Sequence, residues 1–353
     1  MRIAQVAPLY ESVPPKLYGG TERVVSYLTE ALVNLGHDVT LYASGDSQTS
    51  AELRSCCSQS LRLNPESVDP LADHVALMEN VFRESDEFDF IHSHVDYIGF
   101  PLLRRMQTPS VTTLHGRLDL PNLQCLYNEF TDTPVVSIST SQRAPLPQAN
   151  WQATVHHGLP RDLYSLHEGT GEYLAFLGRI SPEKRVDTAI QIAKRFGMPL
   201  KIAAKIDKVD REYFETEIRP QIDGRQIELI GEIGEKEKDA FLGNAYALLF
   251  PIDWPEPFGL VMVEAMACGT PVIAFPKGSV PEVMRPGITG YVVDDAESAA
   301  KALGDVSNLS RKRCREIFER HYTAERMAQD YVALFEKLQD RAELGSVAEE
   351  AVS

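Results

Sequence analysis

Two carboxylates, Glu256 and Glu264, are the residues of this sequence whose type and spacing best suit chemistry. Glu256 lies in a proline-rich loop, where the free N–H groups of the helix that follows stabilise an acidic side chain. Glu264 lies about two turns into that helix among apolar residues, and a buried carboxylate is costly unless it is paired. Two interpretations stay open for Glu264: a core carboxylate satisfied by a basic neighbour, or one that accepts the two hydroxyls of a ribose.

Cationic side chains cluster in the stretch 178–185, GRISPEKR. We predict a helix with Ser181 as its N-cap and proline in the first position, which places Lys184 and Arg185 in the first turn. A cation is unfavourable at that end of a helix, so a negative partner is expected nearby, and Arg179 adds a third positive charge. A diphosphate suits such a cluster, because Arg binds phosphate in a bidentate manner and Lys acts as a point charge. Exposed surface cations are the alternative.

Glycine and histidine follow several of the predicted strands. Gly19-Gly20 either lets the backbone approach a phosphate at a helix N-terminus or makes a flexible turn. The pair does not fit G-x-G-x-x-G, which argues against a nicotinamide dehydrogenase. His115 stands at a strand end, where a histidine can simply cap the strand. His92 and His94 have neither a third ligand nor a recognised spacing, so we expect no metal site.

The ordered set of motifs resembles the retaining family 4 glycosyltransferases of the GT-B fold. Glu256 and Glu264 have seven residues between them, with Pro-Phe-Gly after the first, as in the E-x7-E motif of that family. Further matching runs follow in the family's order and spacing: GRISPEK at 178–184, CGTPV at 268–272, GSVPE at 278–282 and GITGYVV at 287–293. The resemblance covers essentially the whole chain and is strongest between residues 173 and 293.

The resemblance implies transfer of a hexose from a nucleotide-diphosphate sugar to a hydroxyl acceptor with retention of anomeric configuration. UDP is the expected nucleotide, ahead of GDP and ADP. The residues with implied catalytic roles are Glu256, His115, Arg179 and Lys184. The residues with implied donor contacts are Gly19, Gly20, Arg179, Lys184, Glu256, Phe258, Gly259, Leu260 and Glu264.

Each implied contact has a chemical purpose. Glu264 would hold the ribose and Glu256 the hydroxyls of the donor sugar, which His115 also reaches. The cations and the glycine pair would hold the diphosphate. Arg185 departs from the family, which usually has glycine after the lysine, and His157-Gly158 replaces the usual Asn-Gly. No Asp-x-Asp occurs in the chain, so we expect no metal and no cofactor beyond the nucleotide sugar as co-substrate.

The elements that position these residues alternate between strand and helix, which predicts parallel sheets and an α/β fold. The predicted strands are 3–8, 38–43, 88–92, 110–114, 134–138, 153–157, 173–177, 199–204, 227–230 and 247–250. With the resemblance, this predicts a GT-B chain of two Rossmann-like, doubly wound domains facing a central cleft. The expected parts are an acceptor-side domain (1–160), a linker (161–171), a nucleotide-sugar domain (172–322), a last helix (about 324–339) that packs back on the first domain, and a flexible tail (340–353).

Composition limits the other classes of function. A chain of 353 residues with 43% hydrophobic and 24% charged residues suits two soluble domains. The net charge of −16 argues against nucleic-acid partners, although a local basic patch leaves peripheral membrane contact open. Five cysteines, an odd number that includes the adjacent Cys56-Cys57 but no C-x2-C, suggest neither a disulfide framework nor a zinc site, and we expect a reduced, cytoplasmic protein. No apolar stretch reaches the ~18 residues of a membrane span.

Two other functions remain compatible with the motifs. The first is a GT-B epimerase or hydrolase that acts on the nucleotide sugar itself, and the second is a non-catalytic nucleotide-sugar-binding protein. Ser279 and Glu282 fit a capping box, which gives that acid a structural explanation. The sequence does not identify the acceptor, the sugar or the oligomeric state.

Overall fold

The computed structural model describes residues 1–16 and 19–350, with side chains described up to residue 344. Residues 351–353 of the predicted tail and Tyr18 of the loop before Gly19 lie outside the described residues. The chain divides into two compact units. The first contains residues 1–158 and the C-terminal segment from residue 324, and the second contains residues 159–323.

The first unit is built on a parallel sheet, which in the described part of the chain has seven strands in the order β3-β2-β1-β4-β5-β6-β7. The strands are β1 (Arg2–Val6), β2 (Asp38–Tyr42), β3 (Glu52–Arg54), β4 (Phe90–Ser93), β5 (Ser110–Thr113), β6 (Pro134–Ser137) and β7 (Asn150–Thr154). Its helices are α1 (Gly20–Asn34), α2 (Pro70–Arg83), α3 (Phe100–Leu103), α4 (Pro121–Glu129) and, from the end of the chain, α12 (Ala324–Glu350).

The second unit has its own parallel sheet, with six strands among the described residues in the order β10-β9-β8-β11-β12-β13. These are β8 (Tyr173–Arg179), β9 (Leu200–Lys205), β10 (Ile227–Gly231), β11 (Ala245–Phe250), β12 (Val272–Ala274) and β13 (Gly290–Val292). The helices are α5 (Val186–Phe196), α6 (Arg211–Tyr213), α7 (Glu235–Gly243), α8 (Leu260–Ala267), α9 (Val280–Val283), α10 (Ala296–Leu303) and α11 (Arg311–His321).

Each strand order reverses beside the first strand of its unit, as in doubly wound α/β folds, so the predicted fold class is confirmed for both units. The central strands are buried because helices cover both faces of a parallel sheet. In β4, all four residues from Phe90 to Ser93 are buried. In the second unit, Leu174 of β8 and Ile202 of β9 are fully buried in one cluster with Ile190 of α5.

Two boundaries differ from the prediction. The strand expected at 153–157 lies at Asn150–Thr154, where each residue is partly exposed. The last helix does not end near residue 339 but continues to Glu350. Phe335 of this helix stacks on Phe90 of β4 with ring centroids 4.4 Å apart, which anchors it to the first unit.

The polar stretch 161–171 is part of the second unit and is tied down along its length. Arg315 of α11 donates to the carbonyls of Arg161 and Tyr164 at 2.7 and 2.6 Å. The N–H of His167 donates to the carbonyl of Cys268 at 3.1 Å. The expected linker is therefore a packed segment of that unit, because buried arginine and backbone groups satisfy its polar atoms.

Candidate active site

The stretch after β8 presents its cations differently from the prediction. A 3₁₀ turn spans Pro182–Lys184, and the α-helix begins only at Val186. Arg185 joins the two in the left-handed conformation, with φ 55° and ψ 49°, and the side chain of Ser181 makes no capping hydrogen bond. Left-handed backbone favours glycine, which gives a physical reason for the glycine expected at this position.

Lys184 and Glu256 are brought into direct contact although 71 residues separate them in the chain. The Lys184 ammonium contacts Glu256 Oε2, and the side chains are only 18% and 12% exposed. The indole N–H of Trp254 donates to the same oxygen at 2.8 Å. The Lys184 ammonium also lies 5.0 Å from the centre of the Trp254 ring, close enough for a cation–π contact. Two of the predicted site residues therefore form one partly buried ion pair.

The other cations of this region also contact carboxylates of the chain. Arg179 contacts Glu183 at 2.6 Å, with Asp207 and Asp210 each 3.7 Å from its guanidinium. We refer to Arg179, Lys184, Arg185 and Lys205 as the cationic cluster. Each of them contacts a carboxylate: in order, these are Glu183, Glu256, Asp187 and Asp207. The expected negative partner is therefore present within the protein itself.

The loop that carries Glu256 is held by the Gly278–Ser279 turn. The N–H of Ser279 donates to the Glu256 carbonyl at 2.9 Å. Gly278 has φ 57°, and a Cβ there would lie 2.3 Å from the backbone N and O of Glu256. Ser279 Oγ donates to the carbonyl of Phe258 at 2.8 Å instead of capping α9, so the predicted capping box is wrong.

The helix that carries Glu264 begins at Leu260, after Gly259 in the left-handed conformation with φ 76°. Glu264 is buried, with a side chain only 5% exposed, and Lys238 of α7 contacts its Oε1 at 2.7 Å. The Tyr164 hydroxyl lies 3.5 Å from the same oxygen. The carboxylate thus has the basic neighbour of the first interpretation, and sequence reasoning missed Lys238 because nothing in 235–238, EKEK, marks one lysine as buried.

In the first unit, the Gly19-Gly20 pair stands where α1 begins. A Cβ on Gly19 would lie 2.7 Å from the Cβ of Pro15, so the close approach of these segments requires glycine. Glu22 lies in the first turn of α1 and is 6% exposed. Burial raises the pKa of its carboxyl to about 7, so this acid holds its proton more tightly than an exposed one.

His115 follows β5 and belongs to a group of four imidazoles. Its Nε2 lies 2.9 Å from His94 Nδ1, and its ring stacks on that of His157 at 5.2 Å. The ring of His94 in turn lies 4.1 Å from that of His92. Burial lowers the pKa of His115 to about 3 and holds the pKa of the other three well below the usual range. The group is therefore neutral and acts through hydrogen bonds.

Comparisons with known sequences decide the family. Residues 165–321 match the family described as Glycosyl transferases group 1, and residues 18–164 match Glycosyltransferase Family 4. The two matches adjoin at residue 165 and together cover most of the chain. This protein is a family 4, group 1 glycosyltransferase.

Solved glycosyltransferases share the GT-B fold over nearly the full length. AviGT4, a glycosyltransferase involved in avilamycin A biosynthesis, aligns with a TM-score of 0.74 and 24% identity over 96% of this chain and 98% of that one. HepE of Anabaena, solved with UDP and glucose, aligns with a TM-score of 0.74 and 17% identity over 96% and 100%. These likenesses establish the fold of the present glycosyltransferase.

Curated relatives agree on the family. The phosphatidyl-myo-inositol mannosyltransferase of Mycobacterium leprae is 26% identical in an alignment of 351 positions that covers 90% of each protein. Other curated relatives are matched over a shorter part, and the chain spans 62%, 45% and 60% of the length of three of them.

The structure groups the predicted site residues of this glycosyltransferase by unit. In the second unit, Lys184 and Glu256 touch, Arg179 lies at the end of β8, and Phe258, Gly259 and Leu260 form the start of α8. In the first unit, the glycine pair and His115 each follow a strand of the sheet.

The described residues were also compared with the requirements of a metal site and of a membrane span. Among the described residues, no three His, Cys, Asp or Glu side chains are arranged to hold a metal ion. None of the helices in the described part of the chain has both the length and the apolar character needed to cross a membrane.

Proposed function

We propose that this glycosyltransferase moves a hexose from a UDP-sugar to a hydroxyl acceptor, with retention of anomeric configuration and without a metal. The observation that carries the proposal is the contact between Lys184 and Glu256 beside Arg179 and the start of α8. This places a carboxylate suited to sugar hydroxyls next to cations suited to a diphosphate. The UDP and glucose bound by HepE support the choice of nucleotide.

The departing diphosphate needs positive charge in place of a metal ion. Lys184 and Arg179 supply it, and the N–H groups that begin α8 add donors at a helix N-terminus. The chain must release these cations from Glu256 and Glu183 for the phosphates to reach them. Glu256, once released, is free to accept hydrogen bonds from the sugar hydroxyls.

Glu264 is assigned to the ribose of the nucleotide. Its Oε1 contacts Lys238, which keeps the carboxylate satisfied in the buried site. In the first unit, His115 is assigned to a hydroxyl of the donor sugar and the Gly19-Gly20 turn to the phosphates. A carboxylate beside the reacting sugar could also serve as a nucleophile in a double displacement. We assign Glu256 to positioning of the donor.

Calorimetric binding of UDP, GDP and ADP in the presence of EDTA tests the donor site. We expect UDP to bind without metal, and Lys184→Ala and Glu264→Ala to weaken binding at least tenfold. Lys194→Ala is the matched control, because Lys194 is an exposed lysine of α5. Failure of all three nucleotides to bind, or binding unaffected by both site variants, would overturn the assignment.

Turnover of UDP-hexoses separates transfer from the other two functions. A panel of sugar and alcohol acceptors should give a glycoside with the donor's anomeric configuration. We expect Lys184→Ala to lower kcat about 10²-fold to 10³-fold, the usual loss when a charge that stabilises the transition state is removed. If the UDP-hexose is hydrolysed at the same rate whichever acceptor is added, and no glycoside forms, the protein is a hydrolase. If UDP binds but no UDP-hexose is turned over, the protein is a non-catalytic nucleotide-sugar-binding protein.

A further inference from the structure

The first unit contains a continuous run of hydrogen bonds that starts on the C-terminal helix. The hydroxyls of Tyr331 and Thr113 are 2.9 Å apart. Thr113 Oγ1 is also 2.7 Å from Nε2 of His92. All three side chains are fully buried or nearly so, and the Tyr331 ring packs on the imidazole of His92 at 4.5 Å.

Gln5 of β1 continues this run to His115. Its Nε2 lies 3.2 Å from His92 Nδ1, and its Oε1 lies 2.8 Å from His94 Nε2. His94 Nδ1 then lies 2.9 Å from His115 Nε2. Gln5 and His92 are 0% exposed and His94 is 2% exposed, so water does not compete for these contacts. A single amide therefore bonds to both imidazoles through its two different ends.

The chemistry of an amide determines where the imidazole protons lie. An amide oxygen only accepts hydrogen bonds, so His94 must carry its proton on Nε2 and leave Nδ1 bare. The hydrogen bond between His94 and His115 then requires the proton on Nε2 of His115. On the other arm, the amide nitrogen donates to His92 Nδ1, and His92 donates through Nε2 to Thr113.

The geometry points to Gln5 as a positioning residue that, through His94, holds His115 in the tautomer with a bare Nδ1. The inference rests on the proposed function, in which His115 contacts the donor sugar. In that tautomer the remaining ring nitrogen is a hydrogen-bond acceptor only. Its partner must therefore be a hydrogen-bond donor, as a sugar hydroxyl is and a carboxylate is not.

Two further observations fit this assignment. His115 Nδ1 is buried and has no hydrogen-bond partner among the residues that the structure describes. A buried polar atom normally has a hydrogen-bond partner, and a hydroxyl of the ligand would supply one to this nitrogen. The four imidazoles also lie close together, and burial, together with the repulsion that neighbouring charged rings would meet, keeps them neutral, which is the state in which a tautomer is defined.

Nuclear magnetic resonance of protein labelled with ¹⁵N in the histidine rings tests the inference without any nucleotide sugar. His92, His94 and His115 are expected to show a protonated Nε2 and a bare Nδ1, with signals assigned from single histidine replacements. Gln5→Met, similar in size but unable to hydrogen-bond, should give His115 a second population protonated on Nδ1. Thr113→Val is the matched control: it removes the partner of His92 and should leave the His115 signals unchanged.

A double-mutant cycle links the tautomer to the reaction. Gln5→Met should lower kcat/KM for the donor about tenfold, and adding it to His115→Ala should cause no further loss, because both changes remove one contact. A wild-type His115 protonated on Nδ1, or a His115 signal unaltered by Gln5→Met, would overturn the inference. Failure of nucleotide sugars to bind would instead overturn the proposed function, since the resonance experiment contains none.

Discussion

At the scale of single residues, the cationic cluster is held by carboxylates of its own chain. Arg179 contacts Glu183, and Lys184 contacts Glu256. Such pairs keep the cations in place before a ligand binds, and they also compete with it. The affinity for a diphosphate therefore depends on how much stronger the contacts of these cations with the phosphates are than their contacts with the carboxylates of the chain.

Removing a competing carboxylate should tighten nucleotide binding. Glu183→Gln takes the negative charge from its contact with Arg179, which frees the guanidinium for phosphate. Both side chains are 33% exposed, so we expect only a roughly twofold to fivefold lower Kd for UDP, measured by calorimetry. Glu215→Gln, which breaks the exposed pair with Arg219, should leave the Kd unchanged. Weaker binding by Glu183→Gln would contradict the idea of competition.

The buried pair of Glu264 and Lys238 should matter for stability. The side chains are 5% and 12% exposed, so Lys238→Met leaves a buried carboxylate without its cation. We expect a loss of about 3 to 5 kcal/mol in the free energy of unfolding, most of it recovered when Glu264→Leu is added. Urea unfolding followed by Trp254 fluorescence, in a Trp151→Phe background, measures it. Arg219→Ala, at an exposed pair, should cost less than about 1 kcal/mol.

At the scale of elements, backbone conformation explains two sequence features that residue types alone do not. The turn before α5 has a left-handed residue at position 185, and the Glu256 loop packs directly against the backbone of Gly278. In both places the position of a functional side chain depends on a neighbour whose φ is positive. Such positions disfavour any side chain, since a Cβ crowds the carbonyl oxygen that follows it.

Substitution of Arg185 measures the strain in the turn. Arg185→Val keeps a Cβ at φ 55° but loses the contacts with Asp187 and Asp253, and should destabilise the second unit by about 1 to 2 kcal/mol. Arg185→Gly loses the same contacts but relieves the strain, so it should be clearly more stable than Arg185→Val. Urea unfolding compares the two. Equal stabilities would show that the left-handed conformation is not the controlling factor.

The Gly278 turn should control the position of Glu256. In Gly278→Ala the new Cβ would lie 2.3 Å from the Glu256 backbone, so the loop must move. We expect kcat to fall at least tenfold while UDP binding changes less, because a displaced carboxylate mispositions the sugar. Gly287→Ala is the matched control: φ is 78° there, but nothing lies within 4 Å of its Cβ. A similar kcat loss in both variants would contradict this role.

At the scale of the whole molecule, the two units carry different kinds of ionisable groups. The described part of the first unit contains six histidines whose pKa lies below the usual range, mainly because of desolvation: His37, His74, His92, His94, His115 and His157. The second unit has only two histidines: His167, which is partly exposed, and His321, which is exposed. The two units should therefore respond differently to mild acid.

Below pH 6.5 these histidines become protonated in the unfolded chain but stay neutral in the folded first unit. The free energy of unfolding of the first unit therefore falls as the pH falls. Two acids oppose this, because desolvation raises the pKa of Glu22 to about 7 and that of Asp96 to about 6. The six histidines outnumber the two carboxyls, so the unfolded state takes up more protons than the folded state as the pH falls. For each additional proton that it binds, we expect the free energy of unfolding to fall by about 1.4 kcal/mol per pH unit.

Tryptophan fluorescence can follow each unit separately, since the chain has two tryptophans, Trp151 and Trp254, one in each unit. With Trp254→Phe, the urea midpoint reported by Trp151 should fall between pH 7 and pH 5.5. With Trp151→Phe, the midpoint reported by Trp254 should change less. An acid-insensitive first unit would show that its histidines titrate normally in the folded state.

The sequence alone determined the α/β class, most strand positions, the burial of α8 and the family. These depend on local patterns, namely the alternation of strand and helix and the spacing of Glu256 and Glu264 within one loop and helix. The edge strand β7 was misplaced by three residues, because all five of its residues are partly exposed and no run of buried side chains marks its bounds.

Only the tertiary structure decided which distant groups meet. Lys238 pairs with Glu264, Lys184 with Glu256, and Gln5 with two histidines at the end of another strand. These partners come from separate elements that packing brings together, and a charged or amide side chain looks the same in sequence whether it is solvated or buried. A buried polar group needs a hydrogen-bond partner inside the fold, and which residue becomes that partner depends on how the elements pack in three dimensions.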